Sequence, residues 1–158
     1  VNMDQMEIKK RLARALYVFP GAVGVNNHMG SLFTADQRAM SIVLTQIKSS
    51  GQLFLDSLTT SNSLVAQLGD KLNVPVVSRD VFLDDIDKED EIVRRLREVE
   101  RVALDKGTAI AIGHPRVTTL RVLEKWLANL AEKKIRLAPL SAVAKTRLNQ
   151  MQNDGGLN

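Results

Sequence analysis

The chain has 158 residues, an ordinary hydrophobic share of 44% and a mild formal charge of +4. That length suits one domain, or part of one, with a sizeable core, and no apolar run approaches the roughly 18 residues that cross a bilayer. The absence of cysteine excludes disulfides, thiolate metal sites and cysteine nucleophiles.

No positively charged start leads into an apolar segment, so no signal peptide is expected here. A first residue of Val instead of Met suggests a processed chain, an excised domain or a fragment. Lys and Arg are spread over Lys9-Lys10-Arg11, Arg94-Arg95-Arg97, Lys133-Lys134 and Lys145-Arg147, each beside apolar residues at helical spacing. These read as solvated helix faces. Nucleic-acid binding would gather the charges on one surface with aromatic platforms, and aromatics make up only 4% of the chain, so no nucleic-acid partner is expected.

In chain order, Asp4 caps a helix through about Val18, with Ile8, Leu12, Ala15 and Phe19 on one face, and Pro20-Gly21 ends it. Val23-Gly24-Val25 reads as a strand and runs into the loop Asn26 to Ser31. Thr34-Ala35-Asp36-Gln37 is a capping-box signal before a stripe of Met40, Leu44 and Ile47, with Gly51 as the C-terminal glycine. Leu53-Phe54-Leu55 is a second strand ending on Asp56-Ser57. A helix follows from about Ser61 to Leu72, stopped by Asn73. Val74 to Ser78 is a third strand, ending on Arg79-Asp80, and the loop Val81 to Asp87 leads to a long charged helix buried through Ile92, Leu96, Val99 and Ala103. Ala109 to Ile112 is a fourth strand, closed by Gly113-His114-Pro115. The next helix starts at Thr118 or Thr119 and faces inward with Leu120, Leu123, Leu127 and Leu130. Ile135 to Pro139 is a fifth strand, Leu140-Ser141 opens a last helix, and Gln152 to Asn158 reads as a frayed, disordered tail after a domain over 1–151.

Strands alternating with helices, joined by connections too long for hairpins, mean parallel strands and an α/β fold. No linker divides the chain. Five strands suit an open sheet and fall short of a closed barrel, and the chain opens on a helix as though earlier strands preceded it.

The carboxyl ends of parallel strands build ligand sites, and four such ends carry candidate groups: His28, Asp56, Arg79 with Asp80, and His114. Imidazole and carboxylate suit zinc or a similar divalent ion. A histidine could equally serve as a general acid or be a hydrogen-bonded structural residue. Asp56-Ser57 fits loop chemistry as well as a site, and Arg79 with Asp80 could be a local ion pair. Asp84-Asp85 has the look of a catalytic carboxylate pair, but Asp85 and Asp87 before a Glu-rich helix start read better as charge complementing the helix dipole. A Ser-His-Asp triad through Ser31 or Ser57 lacks a G-x-S-x-G elbow. The glycine pairs lack the register of a phosphate loop, which argues against a small phosphorylated ligand. All these strand ends, with Asp80 among them, are expected on one rim facing a shared cleft.

Gly24-Val25-Asn26-Asn27-His28-Met29-Gly30-Ser31, Phe54-Leu55-Asp56-Ser57, Arg79-Asp80-Val81-Phe82-Leu83-Asp84 and Ala109-Ile110-Ala111-Ile112-Gly113-His114-Pro115 resemble, in order, successive motifs of the divergent polysaccharide deacetylase family. The similarity runs from about Met6 to Val143. It implies part of a distorted (β/α) barrel, lacking its first strands, and a metal-dependent hydrolase ancestry. It also implies a bacterial envelope protein in the periplasm that removes acetyl groups from a peptidoglycan- or chitin-like polysaccharide. In the better-known deacetylases an Asp and two His hold the metal, a neighbouring Asp activates water, and a late His protonates the leaving group. His114 resembles that late histidine, and Asp56 falls where an acid orients it. His28 falls where those enzymes carry an Arg-x-Pro-Tyr loop. Its expected role, as metal ligand or substrate contact, comes from its chemistry alone. Asn27, Ser31, Arg79 and Asp80 are the expected pocket residues. The Asp-Asp motif of the family's first strand has no counterpart here, so the other ligands of a divalent metal, zinc by expectation, should lie upstream of Val1. The rival expectation is a non-catalytic carbohydrate-binding or envelope scaffold that kept the pocket. Unpaired early strands would favour self-association or docking onto a missing half.

Overall fold

The computed structural model describes residues 2–155, and the chain divides into two compact units, Val1–Ser78 and Arg79–Asn158. The boundary falls between neighbouring residues with no Gly- or Pro-rich stretch to mark it, which is why composition shows no linker.

The first unit runs α1 (Gln5–Val18), β1 (Gly24–Asn26), α2 (Ser31–Thr34), α3 (Gln37–Ser49), β2 (Leu53–Asp56), α4 (Val65–Leu72) and β3 (Val76–Ser78). Its strands form a parallel sheet in the order β1-β2-β3, with Val25 opposite Phe54 and Leu55 opposite Val77. Asp4 caps α1 as expected, its carboxylate accepting from the Glu7 N–H at 2.8 Å. The capping residue of α3 is Asp36, which accepts from the Ala39 N–H at 2.7 Å, and not Thr34. Thr34 instead lies in the short α2, where its buried hydroxyl turns back to the Ser31 carbonyl. Met40, Leu44 and Ile47 pack as the periodicity predicts, joined by Ile8, Phe54, Val65, Leu68 and Val74 in one apolar cluster. Phe19 departs from the expected α1 face. The helix ends at Val18, the capping residue Phe19 leaves helical dihedrals, and its ring is exposed. Gly51 follows α3 at φ +70°, a conformation that costs a side-chain-bearing residue about 1–2 kcal/mol. Asn73 ends α4 in the same left-handed region.

The second unit runs β4 (Val81–Phe82), α5 (Glu89–Lys106), β5 (Ala111–Ile112), α6 (Val117–Ala128), a 3-10 turn (Ala131–Lys133) and α7 (Leu140–Gly155). Two expectations are overturned. Val81-Phe82, expected in a loop, is a strand paired in parallel with β5, Val81 opposite Ala111 and Phe82 opposite Ile112. Ile135 to Pro139, expected as the fifth strand, joins no ladder among the described residues. Pairing is a long-range property, and a short apolar run carries little local trace of it. Helix α7 continues to Gly155, past the Gln152 where a tail was expected; 156–158 lie outside the described residues.

Val81, Leu83, Ile92, Leu96, Val99 and Val122 form the core of this unit. On α6 the buried positions are Thr119 and Val122, while Leu120 and Leu127 are exposed, so the helix presents a face rotated from the expected leucine stripe. Trp126 packs against the same core and donates its indole N–H to Glu100 at 2.6 Å, and Lys133 pairs with Glu100 at 2.8 Å. The fold is therefore α/β with parallel strands and helices.

Candidate functional site

In the second unit the chain leaves β4 through Leu83-Asp84 and leaves β5 through Gly113-His114. Parallel pairing puts both exits at the same end of the ladder. Asp84 has no exposed surface. Its Oδ1 meets the His114 Nδ1 at 3.0 Å, and its Oδ2 accepts the His114 backbone N–H at 2.8 Å and the Thr119 hydroxyl at 2.7 Å. The Arg116 guanidinium donates to the Asp84 backbone carbonyl at 2.7 Å. Burial by itself would push the Asp84 carboxyl up. The hydroxyl of Thr119 and the backbone and ring of His114 outweigh it, and hold that carboxyl below its ordinary value. An ionised Asp84 assigns the Nδ1 proton to the imidazole, so the exchangeable site is Nε2. The His114 side chain is 34% exposed, which leaves the ring within reach of a ligand. Phe82 meets it edge to face at a centroid distance of 5.5 Å, and the Arg79 guanidinium lies 5.2 Å from the centre of the Phe82 ring.

Gly113 belongs to this arrangement. A Cβ there would stand 3.3 Å from the Leu83 Cβ and 3.5 Å from Asp84 Oδ1, so a larger residue crowds the carboxylate.

The carboxylate bonded to the His114 ring within this unit is thus Asp84, which makes the contact that the resemblance gave to Asp56. Asp56 closes β2 with 1% exposure, and its oxygens accept from the Leu58 N–H at 2.9 Å and the Ser63 hydroxyl at 2.6 Å. Its neighbours are built the same way. Asn27 accepts the Ser57 N–H at 2.9 Å and donates to the Met29 carbonyl at 3.1 Å, and the Ser31 hydroxyl donates to the Thr59 carbonyl at 3.0 Å. Met29 and Leu58 are left-handed at φ 62° and 48°, so these polar side chains hold two loops that their backbones alone would disfavour. His28 lies in the first of these loops and is exposed.

Asp80 is corrected. Because Val81-Phe82 is a strand, Asp80 stands at the amino end of β4, opposite to the exit that carries Asp84 and His114. Its carboxylate accepts the Ile110 N–H at 2.7 Å and pairs with Arg147 of α7, with Lys106 at 3.8 Å. The ion pair expected with Arg79 is made with Arg147 instead, and Asp80 does not share a rim with His114.

Sequence reasoning missed Asp84 and Thr119 as site residues. Asp84-Asp85 has the look of a carboxylate pair that Asp85 and Asp87 explain away as charge at a helix start, and Thr119 reads as a helix start; the partners of Asp84 lie 30 and 35 positions away in the chain. Among the described residues no group of three or more His, Cys, Asp or Glu side chains is placed to hold a metal ion. These donors do not by themselves complete a metal centre. No described helix is long and apolar enough to cross a membrane.

A profile described as divergent polysaccharide deacetylase matches residues 1–144. The chain is 35% identical over 132 residues to an uncharacterized protein of Haemophilus influenzae, covering 84% of this chain and 47% of that protein. It is 37% identical over 129 residues to the uncharacterized protein YibQ of Escherichia coli, covering 82% of this chain and 40% of that one. The crystal structure of an uncharacterized Agrobacterium tumefaciens protein superposes with a TM-score of 0.87 at 28% identity, over 90% of this chain and 58% of that one. The chain therefore spans less than half the length of both sequence relatives.

Proposed function

Because the chain belongs to the divergent polysaccharide deacetylase family, we propose that it carries the proton-donating half of a hydrolase that removes acetyl groups from an envelope polysaccharide. The observation that supports this is the Asp84–His114 pair: a buried, ionised carboxylate bonded to Nδ1 of a ring that is one-third exposed. In the hydrolysis water forms the new C–O bond to the acetyl carbon, and the bond from that carbon to the sugar nitrogen or oxygen breaks. The departing atom takes the proton of His114 Nε2, the water that became part of acetate gives up two protons, one restoring the imidazolium and one passing to solvent, and acetate is released. Asp84 remains ionised throughout, fixing the ring and stabilising its charged form.

The same proposal places the full-length protein in the periplasm, as part of a distorted (β/α) barrel. It gives that protein a divalent metal, zinc by preference, with His28 as a contributing ligand or a substrate contact. Self-association or docking is supported by the consecutive exposed residues Tyr17, Val18 and Phe19. A non-catalytic sugar-binding scaffold is the rival, and no particular contact favours it.

The test is made on the full-length protein with acetylated peptidoglycan and chitin oligomers. His114→Ala should lower kcat by about 10²- to 10⁴-fold, the range for losing a positioned acid, with unchanged melting temperature and metal content. His28→Ala should reduce bound zinc, or else raise KM. Full turnover by His114→Ala would end the assignment.

A further inference from the structure

One side chain of α6 reaches the Asp84 carboxylate directly. Thr119 is 1% exposed, its hydroxyl donates to Asp84 Oδ2 at 2.7 Å, and that oxygen also takes the His114 backbone N–H. Two donors on Oδ2 turn Oδ1 toward the ring. The His114 N–H is fixed by the backbone, so the hydroxyl is the donor that a single substitution can remove. The turn between β5 and α6 thus encloses one carboxylate from both sides: His114 supplies its backbone and ring, Arg116 grips the Asp84 carbonyl, and Thr119 closes the far oxygen. Thr119 also stands on the buried face of α6, next to the Leu120 that the leucine stripe placed inward and that is exposed instead. A buried hydroxyl at a core position needs a partner, and here the partner is the carboxylate that orients the ring.

We infer that Thr119 is a positioning residue of the active site, acting through Asp84 to hold the His114 ring with its Nδ1 proton on Oδ1 and its Nε2 presented to substrate. This inference rests on the general-acid reading of His114. A merely structural Thr119 would affect folding alone. A positioning Thr119 affects the proton equilibrium of Asp84 as well. Removing its hydroxyl takes away one of the donors that keep the carboxyl ionised, so Asp84 should take up its proton at a higher pH than in the wild type. A protonated Asp84 releases the ring. Among the described residues, the other ionisable groups bonded to Asp84 are the His114 ring and the Arg116 guanidinium, and neither is altered by the substitution.

The experiment compares Thr119→Val, Thr119→Ser and His114→Ala in the full-length protein, following turnover against pH and the 13C carboxyl resonance of Asp84. Thr119→Val keeps the shape and removes the hydroxyl. Its kcat should fall tenfold or more with little change in KM. Both the acid limb of its rate profile and the Asp84 resonance should move to higher pH. Thr119→Ser should restore kcat, limb and resonance. A Thr119→Val protein with wild-type kcat and an unmoved Asp84 titration would overturn the inference. If Thr119→Val fails to fold, Thr119→Ser decides: a wild-type Asp84 titration supports the hydroxyl's role, and a displaced one overturns it. His114→Ala separates the two levels. Full activity there removes the general-acid reading itself. An inactive His114→Ala beside a normal Thr119→Val removes only the role of Thr119.

Discussion

A carboxylate without exposed surface stays ionised only where donors replace its lost water, and Asp84 is such a case. Asp84→Ala would leave the Thr119 hydroxyl and the His114 backbone N–H buried without their acceptor. Each such orphaned group costs about 1–3 kcal/mol, so the melting temperature should fall clearly in a thermal scan. The exposed Asp87 offers the contrast: Asp87→Ala should leave stability nearly unchanged, within about 0.5 kcal/mol. Nothing local in the sequence separates these two residues. Both belong to the acidic run Asp84-Asp85-Ile86-Asp87 before Glu89, and what distinguishes Asp84 is a threonine 35 positions away. His114 was legible because a strand, a histidine and a proline stand together in nine residues of sequence.

At the scale of the elements, close approach is the property that glycines reveal. A Cβ on Gly24 would lie 2.6 Å from the Leu53 carbonyl oxygen, a backbone atom of the neighbouring strand, and one on Gly69 would lie 2.5 Å from Val76 Cγ2, a side chain. A side chain yields more readily than a ladder. Gly69→Ala should therefore cost about 1–3 kcal/mol, the usual range for overpacking, and Gly24→Ala at least as much. Gly113→Ala, whose nearest contact is 3.3 Å, should cost less than either; urea unfolding of the three variants orders them. The helices α1, α3 and α5 were legible from periodicity, with caps at α1 and α3, since an i, i+3, i+4 pattern is a local property. The strands were less so. Val81-Phe82 is too short to show alternation, and Ile135 to Pro139 has strand composition without a described partner. The leucine stripe was legible in part: Leu123 packs against the core and Leu130 is buried, while Leu120 and Leu127 are exposed and a buried place on α6 goes to a threonine with a carboxylate to meet.

For the molecule as a whole, the acidic side of the pH scale is where stability should be lost. Asp84 and Glu100 are both held below the ordinary carboxylate value. For Glu100, burial works against this, and Lys133, Trp126 and the charge of Arg97 prevail. A depressed folded-state pKa contributes stability that is fully present above the unfolded value of about 4 and disappears as pH falls through the folded one. Melting temperatures should thus hold level from neutral pH down to about 5 and decline below about 4, and Thr119→Val should begin its decline at higher pH than the wild type. The bond between Trp126 and Glu100 turns that decline into something visible. Trp126 is the single tryptophan of the chain and Tyr17 the single tyrosine, and they fall in different units. Indole emission responds to the charge of the group that its N–H meets. In this chain, with no label attached, the colour of the tryptophan fluorescence should shift as Glu100 takes up its proton, and an emission titration on the acid side checks it.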